Sequence, residues 1–425
     1  MINYRYLRPK KAEAVKTWYD KDFIKRDNLT AISYYNATIL PLKKCPSDRL
    51  LFGRGGVVDA EGRYIEASSL RKRIDYSYEY DAYEVQEKKG VYCGYMVPQW
   101  GHFLVEAVTR LWYFLKHDDT IDKYVFFLSL GEEREIKGNY RELFELLGVW
   151  DKLEFINKPT QYREVIVPEK AFSMRTYWSN EYKEIFDTVA GNVNIEEDWN
   201  SYDKIFLSRS RIPKFGKKEF NMDMLDEFFE KNGYKIVYPE HHSLANLIYL
   251  MKNAEEIATL SGSVQHNMMF APDRKKHIII EKTVVTVDFQ IDINLMKDFD
   301  VTYIDANLPI YPISIGYGPY IMYYSGMLRK FAEERGYLPA DPSFEDKNRM
   351  KKIFSKYMKA YREEYQYQWF LADWEEQFIS SIREGYLEGF EYFKEYLTRQ
   401  KPYKVSHYFE LHYWKNFVRK MIGRK

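Results

Sequence analysis

The feature that most constrains this chain is an alternation of strand-like and helix-like runs that starts near Lys204. KIFLSRSR (204–211) reads as a strand leaving into a polar loop, Met222 to Asn232 as a helix, and YKIVYPE (234–240) as the next strand. Ser243 then caps a helix running to about Asn253, EIATLSG (256–262) is a strand, and Val264 to Phe270 opens a short helix. HIIIEK (277–282) and VTYIDA (301–306) follow, with Phe289 to Phe299 as the helix between them. Such alternation predicts a parallel sheet with helices on both faces, the doubly wound α/β class that places ligands at the carboxyl ends of its strands.

The first half is more mixed. GVVDAEGRYIEAS (56–68) reads as a hairpin around Glu61-Gly62 and GVYCGYMV (90–97) as a buried strand. Helices at about Trp100 to Lys116, Asn139 to Leu147 and Asn180 to Gly191 alternate with YVFFLSL (124–130) and EVIVP (164–168), which predicts a second α/β sheet. The charged stretch near Glu196 to Tyr202 is the expected linker. From Leu328 the pattern becomes long amphipathic runs rich in tyrosine, divided by Pro402. The expected organisation is therefore an α/β domain over 1–200, a Rossmann-like domain over 201–327 and a helical extension over 328–425.

Composition narrows the function. With 64 Lys plus Arg against 63 Asp plus Glu the chain has no overall basic field, so nucleic-acid binding is not expected. Cys45 and Cys93 sit in no C-x-x-C or metal spacing, which argues against a disulfide framework and fits a reducing cytoplasm. Met1 to Asp20 lacks the apolar core of a signal peptide, so the mature chain is expected to start at Met1. Ala306 to Leu328 is uncharged for longer than the ~20 residues of a bilayer span, but its prolines and glycines favour a buried crossing segment. The last stretch, HYWKNFVRKMIGRK (412–425), holds basic and aromatic residues and no acid, as in helices lying on anionic membrane. A basic tail beside a packed helix is the plainer alternative.

Three places carry candidate chemistry. In LSGSVQHNMMFAP (260–272) a strand ends, Gly262 permits a tight turn and Ser263 can cap the helix that follows, so free backbone N–H groups would receive a phosphate. Such turns also serve as plain connectors. Arg209 and Arg211 follow the strand KIFLS at the ligand edge of the sheet, with Lys214, Lys217 and Lys218 near, and Glu281 ends the next strand where it can take a ribose or sugar hydroxyl pair. In GHFLVEAVTRLWYFL (101–115), His102 and Glu106 are i and i+4 on one helix face, so the carboxylate can orient the imidazole as a general base. Asp298-Phe299-Asp300 and His241-His242 lack the further ligands of a metal site, and no metal is expected.

Taken in order, GHFLVEAVTRLW, KIFLSRSR with Asn221 further on, the Ser243 helix, SGSVQHNMMF and IIIE resemble the family 61 glycosyltransferases, also described as capsular polysaccharide biosynthesis glycosyltransferases. The resemblance covers about Val57 to Asp305. It implies a two-domain glycosyltransferase B architecture, with the acceptor mostly on the first domain, the nucleotide-sugar on the second and inverting chemistry between them without a metal. It further implies no cofactor, a nucleotide-sugar donor with UDP-sugar as the first choice, and a glycan or lipid-linked glycan acceptor in bacterial surface-polysaccharide assembly at the inner face of the plasma membrane. Carried across, Arg209 touches the donor diphosphate, Gly262, Ser263 and Asn267 frame it, and His102 with Glu106 forms the catalytic pair; Arg211, Lys218, His266 and Glu281 are further donor-side candidates from their own positions. Ser261 stands where the family often has His, and His266 comes later. A non-catalytic carbohydrate-binding or scaffold protein on the same fold and a sugar-nucleotide epimerase are the competing expectations.

Overall fold

The structure, a computed structural model, describes residues 1–365 apart from 22, 46–51, 72–73, 197, 213–218, 284–285, 287 and 309–317. The tail at 412–425, Lys214, Lys217, Lys218 and part of the expected crossing segment lie outside the described residues. Two six-stranded sheets organise what is described.

The second sheet is wholly parallel. Its order is Lys235–Val237, Lys204–Leu207, Glu256–Leu260, Lys276–Glu281, Asp300–Asp305 and Ile2–Tyr6. The inner strands are buried along nearly their whole length, as parallel strands covered on both faces must be. Taken in chain order from Lys204 the arrangement is 2-1-3-4-5, which puts a topological switch point between Lys204–Leu207 and Glu256–Leu260. The loops leaving these two strands, which carry Arg209 and Gly262, therefore open at one edge. The strand from Lys276 to Glu281 delivers Lys282 to the same edge.

One assignment differs from expectation. Residues 2–6, read with the first domain, pair instead with Asp300–Asp305 at the margin of the second sheet. The helix Pro9–Tyr19 that follows is held there by Lys11, whose Nζ donates to Glu281 Oε2 (2.8 Å), Asp305 Oδ1 (3.0 Å) and the Thr283 carbonyl (2.6 Å). The helix Gly326–Arg335 likewise packs on this sheet: Arg335 pairs with Glu256 at 2.8 Å and Tyr6 donates to Glu334 at 2.7 Å. The helical extension thus begins as part of the second unit. No helix among the described residues is long and apolar enough to cross a membrane.

The first sheet is mixed, in the order Arg54–Val58, Ala31–Lys43, Thr160–Pro168, Glu84–Tyr95, Lys123–Phe127 and Leu153–Ile156. The last four strands run parallel and Ala31–Lys43 opposes them. The expected hairpin at 56–68 is reduced to one bridge, Val58 with Tyr64, because Arg54–Val58 finds its partner in Ala31–Lys43. After Glu84–Tyr95 the chain enters the segment that carries His102. A single helix was expected over 100–116; a turn of α-helix (Trp100–His102) instead passes into π-helix (Phe103–Ala107) and 3₁₀-helix (Val108–Lys116). Such π-helical insertions recur at functional sites.

The two units share one apolar core, with Phe186 against Phe270 (5.3 Å, edge to face). Polar contacts add to it. The Glu142 carboxylate accepts from the Leu244 and Ala245 amides (2.7 and 2.8 Å) at the start of the helix Leu244–Asn253, where a negative charge suits the helix dipole. Ser243 caps the same helix as expected, accepting from the Asn246 amide at 3.1 Å.

Candidate active site

Trp100 and Gly101 bring the two expected motifs together. Trp100 Nε1 donates to Asn267 Oδ1 at 2.8 Å, and a methyl group placed on Gly101 would lie 2.9 Å from Ser263 Oγ and 3.1 Å from His266 Cδ2. Only glycine leaves the backbone of one unit this close to the turn of the other. The next residue, His102, therefore stands beside the carboxyl edge of the second sheet.

His102 and Glu106 form the pair expected from their spacing. Nδ1 lies 3.0 Å from Glu106 Oε2, and Arg71 grips the other carboxylate oxygen through Nε at 2.7 Å. Burial alone would raise the Glu106 carboxyl, but hydrogen bonds from His102 and Arg71 outweigh it and hold the group below its usual value. Arg71 Nη2 is a more distant 3.4 Å from the same ring nitrogen and can only donate. The nearer carboxylate therefore sets Nδ1 as the proton-bearing nitrogen and leaves the Nε2 lone pair to accept a proton. Phe52 packs edge-on against the ring (6.0 Å between centroids) and beneath the Arg71 guanidinium (4.8 Å).

Across the joint, Gly262 takes φ 126°, a conformation that favours glycine, and opens the 3₁₀-helix Ser263–Phe270. Ser263 was expected to cap this helix; it is instead its first residue, with Gly262 in the cap position and no side-chain cap. The first amides of such a helix have no partner within it. Beside them lies an ion network: Glu219 accepts from Arg209 Nε at 3.1 Å and from Lys282 Nζ at 2.6 Å. A methyl on Gly262 would stand 3.2 Å from Lys282 Nζ, so the lysine borders the turn directly. Burial disfavours all three charges, yet Lys282 and Arg209 together hold the Glu219 carboxyl below its ordinary value. Lys282 is itself pulled down by burial, opposed by Glu219. Two basic groups against one carboxylate leave this edge positive, which suits an anion.

The remaining candidates divide. His266 is buried, its Nδ1 2.9 Å from Gln290 Oε1, and burial pulls its pKa down to about 4, so it is neutral near pH 7. Asn267 spends its side chain on Trp100 and on the Val264 carbonyl (2.8 Å), so it fixes the joint. Arg211 is exposed and stacks on Tyr238 at 4.3 Å, away from the Arg209–Glu219 pair. Glu281, expected to meet a sugar hydroxyl pair, is fully buried with Oε2 taken by Lys11, and burial pushes its carboxyl upward.

Sequence reasoning missed Arg71, Glu219 and Lys282. The signal for Lys282 was present, because neighbouring residues at a strand end face opposite ways. Glu281 turns to the Lys11 side and Lys282 to the turn. Asp298, half of the discounted acidic pair, is bonded to Arg274 at 3.3 Å, and His242 to Asn246 at 2.6 Å. Among the described residues no group of three or more His, Cys, Asp or Glu is placed to hold a metal ion.

A His–Glu pair in one unit thus stands against a glycine turn and an ion network at the switch point of the parallel sheet in the other. Residues 100–279 match the family model described as Glycosyltransferase 61. The matched segment holds both halves of the joint, from Trp100 to Asn267, and shows the family resemblance read from the motifs. That family supports glycosyl transfer as the general activity. No curated protein matches the chain.

Proposed function

We propose that the protein is an inverting, metal-independent glycosyltransferase of the two-domain B type. It would move a sugar from a nucleotide-sugar donor, with UDP-sugar the first choice, to a glycan or lipid-linked glycan in bacterial surface-polysaccharide assembly. One observation carries this reading: the Trp100–Asn267 and Gly101–Ser263 contacts place the His102–Glu106 pair beside the Gly262 turn and its Arg209–Glu219–Lys282 network. In the reaction the acceptor hydroxyl attacks the anomeric carbon while its proton passes to His102 Nε2, and Glu106 stabilises the imidazolium that forms. The bond from the anomeric carbon to the diphosphate breaks with its electrons, and the new charge falls on oxygens facing Arg209, Lys282 and the amides after Gly262. These cations supply what a metal supplies in other transferases.

The work is placed in the cytoplasm at the inner membrane face, on the composition of residues 412–425. Equal pelleting with anionic liposomes of the full chain and of one ending at Gln400 would remove that part.

The test of the whole is a thermal-shift series with UDP, GDP, CDP and TDP, with and without EDTA, since a ligand of the folded state alone raises the melting temperature. A shift with one nucleotide, insensitive to EDTA and lost in Arg209→Ala, is the expected result. No shift with any of them, and no nucleoside diphosphate release when acceptors are added, would leave a saccharide-binding scaffold as the better account.

A further inference from the structure

Behind the His102–Glu106 pair the first unit carries more positive charge than the proton transfer needs. Arg110 is 2% exposed and bonds carbonyls alone, Nε to Pro168 (2.9 Å) and Nη2 to Ala67 (2.7 Å), with its guanidinium 5.0 Å from the Tyr92 ring centre. Lys170, half-buried, donates Nζ to the carbonyl of Leu70, the residue before Arg71. The Ala171 amide donates to the Thr109 carbonyl (2.8 Å), and Thr109 Oγ1 donates to the Glu106 carbonyl (3.0 Å). Three stretches, 67–71, 106–110 and 168–171, are thus stitched around a single carboxylate.

Arg71 grips Glu106, Lys170 lies within electrostatic reach of Glu106, Arg110 and Arg71, and the other acids close by are spent elsewhere. Glu169 is paired with Arg26 at 2.7 Å, and Asp75 accepts from the Ser77 amide at 2.7 Å. Among the described residues neither Arg110 nor Lys170 has a carboxylate partner. Burial first, and then the neighbouring Arg110, pull the Lys170 amine down to about 7, with Glu106 opposing them. The Arg71 and His102 side chains, 32% and 22% exposed, open this cluster to solvent.

We propose that this cluster is the acceptor's anion site and takes a phosphate monoester, held by Arg71 and Lys170 next to the hydroxyl that His102 deprotonates. The inference rests on the glycosyltransferase reading for the word acceptor, but the anion site itself does not. Arg71, Arg110 and a Lys170 amine only partly charged near pH 7 outweigh the one carboxylate, and an arriving dianion would draw the lysine back to its charged form, which a phosphate does more strongly than a carboxylate. An arginine fork and a lysine point charge together are a common phosphate-binding set.

The test is calorimetric titration of the full chain at fixed ionic strength with inorganic phosphate, glucose 1-phosphate and glucose. The variants are Lys170→Met, Lys170→Arg and Arg209→Ala. Both phosphates are expected to bind and glucose not to. Lys170→Met should weaken one phosphate-binding event about tenfold or more, Lys170→Arg should retain it, and Arg209→Ala, which alters only the anion-receiving turn at Gly262, should leave that Lys170-dependent event in place. Binding of glucose 1-phosphate without inorganic phosphate would name the sugar phosphate as the ligand and support the site equally. Phosphate binding that Arg209→Ala abolishes and Lys170→Met leaves intact would put the anion at the Gly262 turn and overturn the proposal, as would no phosphate binding at all. A melting curve without phosphate checks that each variant folds. UDP titrated on the same proteins separates the two readings: UDP binding kept in Lys170→Met while phosphate is lost supports both, and UDP binding absent throughout removes the donor reading while the anion site stands.

Discussion

Glu219 stands between Arg209 and Lys282 with all three side chains at most 14% exposed, whereas Glu106 stands between Arg71 and His102 with both partners reaching water. The same device, one carboxylate gripped by two basic groups, does different work in the two places. Around Glu219 the partners are a guanidinium and a lysine whose charge Glu219 supports against burial, so the network is an electrostatic cradle and not a proton relay. Around Glu106 one partner is an imidazole, whose charge changes near neutrality, so that pair can handle a proton. The drier pair bears on binding and stability, the wetter one on turnover.

The sharpest way to break this division is His102→Ala. Loss of the general base should lower transfer by about 10²–10⁴-fold, read as nucleoside diphosphate release with acceptor present. The thermal shift given by nucleotide should stay as in the parent protein. Equal loss of nucleotide binding would mean that the two clusters are not separate in function.

Glu219→Gln probes the other side. It leaves Arg209 and Lys282 without their buried counter-charge, and breaking such a pair costs about 3–5 kcal/mol, measurable by denaturant unfolding at pH 7. The dependence on pH follows from the depressed carboxyl. A carboxyl whose folded pKa lies below its unfolded value of about 4.3 contributes its stability in full above that value and loses it as pH falls through the folded one. The gap between parent and Glu219→Gln should therefore be constant at neutral pH and shrink below about pH 4. A gap that does not change with pH would show that Glu219 acts by shape and not by charge.

The same contrast explains what could be read from the residues alone. The second sheet was legible because helices cover both its faces, so EIATL and HIIIE are buried without a break around apolar centres and the intervening helices stay amphipathic. Ala31–Lys43 was not legible, because its first half is largely exposed and gives no clean alternation, while Ile2–Tyr6 is a short, partly exposed edge strand whose partner lies at the far end of the described chain. At the site, His102 with Glu106 and the Gly262 turn were visible from spacing, since a helix face and a strand–Gly–helix turn are local geometries. Arg71, Glu219 and Lys282 were not. Each meets its partner across a contact that only the folded sheets create, and adjacent Glu281 and Lys282 differ only in which way the pleat turns them.

The joint between the clusters offers a finer probe. In Gly101→Ala the added methyl meets Ser263 Oγ at 2.9 Å and Ser263 Cβ at 3.1 Å, so Ser263 or the Trp100 turn must shift. Overpacking of this kind costs about 1–3 kcal/mol in unfolding experiments. Because the displaced atoms border both His102 and the Gly262 turn, turnover should fall further than stability does. Unchanged turnover would separate the joint from the chemistry.

Trp100→Phe asks the same question with the smallest change. Phenylalanine keeps the ring packing on Phe103 and Tyr140, whose centroids lie 5.5 and 5.3 Å away, but cannot donate to Asn267 Oδ1. Loss of that single bond should cost about 1 kcal/mol, and Asn267→Ala should cost less by about that amount in the Trp100→Phe background, what remains being its bond to the Val264 carbonyl. A double-mutant cycle on unfolding free energy measures this coupling. If the pair couples as expected and both variants also slow transfer alike, the Trp100–Asn267 bond is what holds the proton-handling cluster in register with the charged cradle. If the cycle shows no coupling, close packing at Gly101 holds that register and the hydrogen bond merely satisfies a buried indole.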